Sequence, residues 1–582
     1  MRDIWIRRTP AATAMTLTMV LAGLAALAAG CAGDAAAGAP NHSSPDGGAS
    51  FNDASSAQPP CFSSNECPTG FVCNEFGRCE FPSPGDGGPP PEVERELSQP
   101  SSALRYLYVS MPELDAVAKI DGMSLAITSI DVGDRPGLVT PVPGRDDAVV
   151  LDRGIEAATI VRPTVDHDEK LTLATLPRLN SVDIDRTGHF AVAWFDLTRA
   201  VAEAGGLQNV GEIGSFQDVT VVNITRDEER TVDLSVGFRP RKVAFDADGT
   251  HAYVVTDDGV SVIDLAAAVA GTLHVAATIP VAADPLADPT ATEVEITSDG
   301  AWAVVRDTGR AELRLVAVGS RAGEPPGSAH VIALPAEATD VDLSADGKHA
   351  WAVLRDASTL AIIDVPGDGL DPAGVELVDL GSARVGSVEI DEAHGRALLY
   401  TNAFYEEKLV VVDLAAPAHP VRVLPLEKGV RLVAIAPEGK TALVLHTRLP
   451  GDPQQAGSVD ELVDRSFGYS LVDLSSGFAK LAITPVDPGS FAFAPDGGTA
   501  YLGLDGGDAE NAVRRLQVID LRTFVVRDLQ LGSPPEVVGV LPSAGKAFVS
   551  QRHPLGRVTF VSFTDGHTST VTGFELGSHI VD

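Results

Sequence analysis

From residue 101 onward the chain repeats itself, and this limits the folds open to it more than any other feature. One unit reads Lys242-Val-Ala-Phe-Asp-Ala-Asp-Gly249-Thr-His-Ala-Tyr253-Val-Val, followed by Val260-Ser-Val-Ile-Asp264-Leu. Two alternating apolar runs joined by an Asp-Gly turn make a β-hairpin. The run ending in Ile-Asp-Leu supplies a third strand, and a fourth falls near 276–281. Equivalent turn glycines stand at Gly144, Gly188, Gly249, Gly300, Gly347, Gly395, Gly439, Gly497 and Gly545. Their spacing is about 50 residues, the length of a four-stranded blade in a β-propeller.

The segments alternate with period two, are rich in Val, Ile, Leu and Ala, and are cut by Gly, Pro and Asp, so a helical fold is excluded. Only 198–204 and 459–465 have helical character, both between strands. Ten units are present, an all-β fold that reads as one large ring; the alternative is a ring of seven or eight blades with divergent units outside it. The unit at 104–132 has three strands and lacks the first. His579, Ile580, Val581 and Asp582 resemble that missing strand, which would join the end of the chain to its start.

The phrases Ala494-Pro-Asp-Gly-Gly-Thr-Ala-Tyr501 and Leu516-Gln-Val-Ile-Asp520-Leu, with kin at 434–443 and 411–414, resemble the YVTN-type repeats of bacterial surface proteins and lactonase-like propellers. The resemblance covers 101–582. It implies the propeller fold but does not select among lactonases, quinoproteins, adhesins and proteins without known activity.

The repeated acid of the Ile-Asp-Leu phrase, Asp264, Asp364, Asp413, Asp473 and Asp520, imitates a catalytic set. Its recurrence in most blades points instead to turn capping, and Asn223, Ala317 and Ser562 fill the same slot elsewhere. The turn acids Asp248, Asp299, Asp346 and Asp496 are read in the same way, as acceptors of nearby backbone amides. The thirteen histidines show no metal-binding spacing. His189, His251 and His349 follow turn glycines and belong at hairpin exits. No metal or cofactor is expected from these patterns. The acids of 166–169 and 505–510 gather oxygen ligands suited to Ca2+ but lack a defined calcium loop. Local signatures of nucleophilic catalysis or phosphate binding are absent, although a propeller assembles sites from single residues on many blades.

Extra residues are inserted at 196–217, 447–467 and 505–513, each between the second and third strands of a unit. In a propeller those connections open on one face, which is the expected binding face. It would carry Trp194, Phe195, Phe404, Tyr405, Arg448, Arg465, Arg514, Arg552 and His553, aromatic and guanidinium groups suited to an anionic or carbohydrate partner, here an envelope protein or glycan. The expected function is therefore non-catalytic binding, with a hydrolase using acids and a metal in the central channel as the alternative.

Ahead of the repeats the organisation is different. Arg7 and Arg8 precede an uncharged run from Thr9 to Gly30 that ends in small residues before Cys31, the pattern of an export signal over 1–30. Residues 31–60 and 81–100 are rich in Ala, Gly, Ser and Pro and read as linkers, the second stiffened by its prolines. Between them, over 61–80, Cys61, Cys67, Cys73 and Cys79 are evenly spaced. An even number of cysteines in an exported chain predicts two disulfides with three pairings open; a four-cysteine zinc site is the alternative. After residue 30 no apolar run is long enough to cross a bilayer. The formal charge of −37 excludes nucleic acid as a partner, because phosphate binding draws on Lys and Arg.

Ala28-Ala29-Gly30-Cys31 resembles a bacterial lipobox, which implies a lipid on Cys31 and membrane attachment through it alone. Ala32 is not the inner-membrane retention Asp, so the resemblance implies the outer membrane. The run Cys61 to Cys79, with Pro68-Thr69-Gly70 inside it, resembles small EGF-like or Dickkopf-like modules of surface lipoproteins.

Overall fold

A computed structural model describes residues 72–73, 79–80, 102–164, 167–284, 289, 292–506, 513–553 and 555–574. The segment 1–30 read as an export signal, Cys31, the stretches 31–60 and 81–100 read as linkers, Cys61, Cys67 and the segment 579–582 lie outside them. Of the cysteine module, strands Val72–Cys73 and Cys79–Glu80 pair antiparallel with Cys73 opposite Cys79.

The remaining strands form ten antiparallel sheets with sequential neighbours in each. They span 106–131, 136–174, 181–235, 242–279, 292–333, 340–379, 387–425, 430–484, 488–530 and 535–572, here blades 1 to 10. Nine have four strands; blade 1 has three among the described residues. First strands of successive blades approach one another, as in blades 6 and 7 or 9 and 10. Fourth strands such as Asp168–Ala174 and Val525–Gln530 are mostly exposed. The first strands therefore surround the central axis and the fourth strands form the outer rim. The smaller ring with extra units outside is ruled out by the core. Ten apolar clusters each join one neighbouring pair of blades, from Tyr108, Val117 and Val150 between blades 1 and 2 to Tyr501, Leu516 and Val549 between blades 9 and 10.

The last cluster closes the ring: Leu107, Ala118 and Ile120 of blade 1 pack on Leu541, Phe548 and Phe560 of blade 10. Lys546 Nζ adds a bond to the Gly122 carbonyl at 2.5 Å. Each fully buried Val or Leu in these layers contributes about 1.5–3 kcal/mol relative to exposure, so the interfaces hold the ring together. A blade has apolar residues on both faces because both meet a neighbour, which explains why the second strands read as almost continuous hydrophobic runs such as Thr441–His446.

The turn chemistry follows the repeat. Asp185 and Asp246 accept backbone amides across their turns, Asp185 from Thr187, His189 and Phe190 and Asp246 from Thr250 and His251. At Gly300 φ is +68°, and a Cβ there would lie 2.0 Å from the Tyr253 hydroxyl, which donates to the Gly300 carbonyl. Only glycine fits that position. Helices at Leu197–Ala204 and Val459–Arg465 occupy the two helical segments expected from the sequence. Short helices at Leu265–Val269 and Gly367–Leu370 were not expected; the first is capped by Asp264.

Candidate functional site

Two faces of the ring differ in construction. One carries the turns between first and second strands and the connections between third and fourth strands, which are short except at 265–276, 318–328 and 365–375, where brief helices are inserted. The other collects the links between blades and the two longest described excursions, both between second and third strands. On blade 3, residues 196–217 leave after strand Phe190–Trp194 and return at strand Asp218–Asn223; on blade 8, 447–466 join Thr441–His446 to Phe467–Asp473.

Both excursions are tied down. In blade 3 the Asp196 carboxylate accepts the Arg199 amide and caps the helix. Asn180 and Asp196 exchange two bonds, 2.9 Å from Asn180 Nδ2 to the Asp196 carbonyl and 2.6 Å from the Asp196 amide to Asn180 Oδ1. Phe195 and Phe216 have ring centroids 6.0 Å apart, and Phe216 and Phe238 5.8 Å, so an aromatic run leads from the core to the exposed Phe238.

In blade 8 Ser458 caps the helix and cations gather at its other end. The fully buried Lys428 donates to the Val463 carbonyl at 2.6 Å and the Asp464 carbonyl at 3.0 Å. Arg448 Nε donates to the Arg465 carbonyl at 2.8 Å, with its guanidinium 4.6 Å from the Phe467 ring. The Tyr405 hydroxyl of blade 7 reaches Asp464 at 2.5 Å. Burial pushes the Lys428 ammonium down to about 8, and burial with the Asp464 bond pushes the Tyr405 phenol up.

The sequence-predicted face residues are divided by these contacts. Trp194 is fully buried among Val192, Val219, Val221 and Leu234, and Phe195 is buried beside it, so neither offers surface. Trp194 is the last residue of a strand that shares the core with blade 4, and Phe195, just past it, lies against Phe216. Phe404, half-buried, lies under the Arg384 guanidinium at 5.6 Å. Tyr405, Arg448 and Arg465 come together around the blade 8 helix, where Arg465 also pairs with Glu461. Arg514 donates to the Gly532 carbonyl at 3.3 Å, Arg552 lies 3.4 Å from Glu536, and His553 Nδ1 accepts the Leu555 amide at 3.2 Å. Sequence reasoning missed Lys428, Phe216 and Phe238. No periodicity marks them, because each acts through a loop that only the fold brings near.

The repeated acids behave mainly as caps. Asp413, Asp473 and Asp520 each accept two successive backbone amides. The bonds from Ser475 and Ser476 hold the Asp473 carboxyl below its usual range. Asp364 departs from this role and pairs with His349 at 2.8 Å. Among the turn acids Asp299, Asp346 and Asp496 accept local amides. Asp248 instead pairs with Arg321 of the next blade at 2.8 Å. Of the calcium candidates, Asp168 pairs with Lys119 and Glu169 with Arg226; Asp166 and 507–510 lie outside the described residues.

On and beside the inner strands several charges pair. Lys242 meets Glu295 and Arg306 meets Glu293, both at 2.5 Å, and Arg431 meets Asp487 at 2.6 Å. Burial raises the Glu295 carboxyl. Among the described residues no three His, Cys, Asp or Glu side chains gather in a way that could hold a metal ion. A cleft of about 120 Å3 between blades 4 and 5 is lined by Arg241, Asp257, Asp284 and Pro289.

One pair imitates a nucleophile and its base. His446 Nδ1 bonds the Gly429 carbonyl at 3.1 Å, so it carries the proton and Nε2 accepts from Ser470 Oγ at 2.7 Å. Both side chains are buried, and their slot is a repeated one. Asp152 with Thr159 in blade 2 and Gln551 with Thr559 in blade 10 make the same tie at 2.6 and 2.7 Å. The pair is a fastening between second and third strands.

Against known proteins, residues 219–369 match the family model described as lactonase, seven-bladed β-propeller. No curated protein sequence matches. Similar solved structures include the hydrazine synthase of Kuenenia stuttgartiensis, 16% identical over 57% of this chain and 95% of that one with a TM-score of 0.31. Dihydro-heme d1 dehydrogenase NirN is 12% identical over 84% of each chain, TM-score 0.39. A eukaryotic initiation factor is 10% identical over 74% of this chain and 97% of that one, TM-score 0.46. The chain is thus a ten-bladed β-propeller that is similar, from the third strand of blade 3 into blade 6, to the lactonase type of propeller.

Proposed function

We propose that this protein is an exported lipoprotein, held at the outer membrane through Cys31, whose ring is a non-catalytic platform for an envelope protein or glycan. Residues 31–60 and 81–100 serve as tethers on either side of a module with two disulfides among Cys61, Cys67, Cys73 and Cys79. The observation that supports the platform is the placement of both described excursions on one face, each fastened by several bonds rather than left loose. A capture experiment from envelope extract with the full chain tests it. Binding of a partner that is lost when 196–217 and 447–466 are replaced by tight turns is expected; retention of that partner would move the site elsewhere. Replacing Cys31 by Ser should release the protein into the soluble fraction, and continued membrane attachment would refute the lipid anchor.

The match of 219–369 to the lactonase family favours a second reading, a hydrolase with acids and a divalent ion such as Ca2+ at the central channel. Lactone hydrolysis by the purified protein that is abolished by a chelator would replace the platform reading.

A further inference from the structure

The excursions of blades 3 and 8 are separated by five blades in either direction around a ring of ten. They therefore rise from the same face on opposite sides of the central opening. Each ends in aliphatic side chains that the fold leaves uncovered. On blade 3 these are Leu207, 61% exposed, and Ile213, 50% exposed; on blade 8 they are Val459, 73%, and Leu462, 44%. Val459 and Leu462 are three residues apart on the helix and share one outward stripe. Scattered exposed aliphatics are ordinary, but here they crown two segments that are otherwise tied down by caps, a buried lysine and aromatic packing. Exposed acids border both crests: on blade 3 Glu203, which pairs with Arg199 and Arg153, and Glu212, which pairs with Arg178; on blade 8 Asp452, which caps the turn at 453–455, and Asp460.

We propose that the two crests together bind one basic, amphipathic polypeptide segment laid across the mouth of the ring. This rests on the platform reading above and narrows it to a protein partner. Its apolar side would sit on the aliphatic pairs, and its Lys and Arg side chains would meet Asp460 and Asp452 and share Glu203 and Glu212 with their arginine partners. Charge complementarity with a chain of net charge −37 favours a cationic partner and opposes acidic glycans. Sugar recognition draws on exposed aromatic faces, and apart from Phe238 beside the blade 3 excursion the exposed apolar groups here are aliphatic. A ligand that touches both crests must cross the central opening, and an extended helix gains about 1.5 Å of reach per residue.

The probe is a labelled synthetic helix of Leu and Lys in amphipathic order, with a scrambled peptide of equal composition as control, titrated into the full chain. The ordered peptide should bind at least about tenfold more tightly than the scrambled one, and Leu207→Ser with Ile213→Ser should weaken it about tenfold, as should Val459→Ser with Leu462→Ser. All four positions are exposed, so the variants should keep the parent Tm. Equal binding of both peptides, or loss from one crest only, would overturn the inference. If the fourfold variant still captures the envelope partner, the platform stands and the bridging segment is wrong.

Discussion

His446 shows how a single side chain carries a pH dependence that its slot does not require. Burial pushes its imidazole down to about 3 from an ordinary 6.5. Between those values the unfolded chain binds a proton that the folded chain refuses, so stability rises with pH from about 3 and is fully present above about 6.5. The slope is about 1.4 kcal/mol per pH unit for one proton. Blade 10 keeps Gln551 in the same slot, bonded to Thr559, so His446→Gln should preserve the tie and remove the slope. The variant should lose less Tm than the parent between pH 7.5 and pH 4.5, the shared carboxylates affecting both alike; an equal loss would show that His446 is not the source. Gly300 is the converse case, a position where no side chain fits. Gly300→Ala should cost about 2 kcal/mol or more through left-handed strain and displacement of Tyr253, read as a lowered Tm.

At the scale of elements, the strands were legible and the fastenings were not. Period-two alternation and Asp-Gly turns placed the hairpins, and helices appear at 197–204 and 459–465 where the sequence placed them, because both are local properties of the chain. The excursions also lie between second and third strands as expected. What a loop leans on is a different matter: Trp194 reads as an exposed aromatic beside an insertion, yet it is a core residue because strand Phe190–Trp194 runs one position further into the sheet. Lys428 carries no sequence signal and still anchors the end of the blade 8 helix. Lys428→Met would take the ammonium away from the Val463 and Asp464 carbonyls, which keep only the Ser466 and Leu449 amides, while relieving a buried charge, so the two effects oppose each other in overall stability. The expected outcome is faster amide hydrogen exchange across 459–466 with the ring strands unchanged; unchanged exchange there would remove Lys428 from its anchoring role.

For the whole molecule the open question is where the inner strand of blade 1 comes from. Ser102 bridges Leu107 and fills one position beside strand Tyr106–Met111. Elsewhere the step from a fourth strand to the next first strand runs from four residues, Thr484 to Pro488, to thirteen, Ile279 to Thr292, and is seven at Ala174 to Ser181, Ser235 to Lys242 and Ala333 to Asp340. The same interval from Thr572 arrives at His579. Deleting 575–582 should therefore lower the Tm of the ring, and an unchanged Tm would assign the strand to another segment. The ring itself was contained in the sequence: a repeat of about 50 residues with apolar residues on both faces of each sheet can bury them only against copies of itself, and hairpins and turns follow from local periodicity. Tertiary structure alone decided that ten blades close without a remainder, that several charges on and beside the inner strands pair, and that two distant insertions stand opposite each other. These depend on contacts between residues far apart in the chain, which no local pattern encodes.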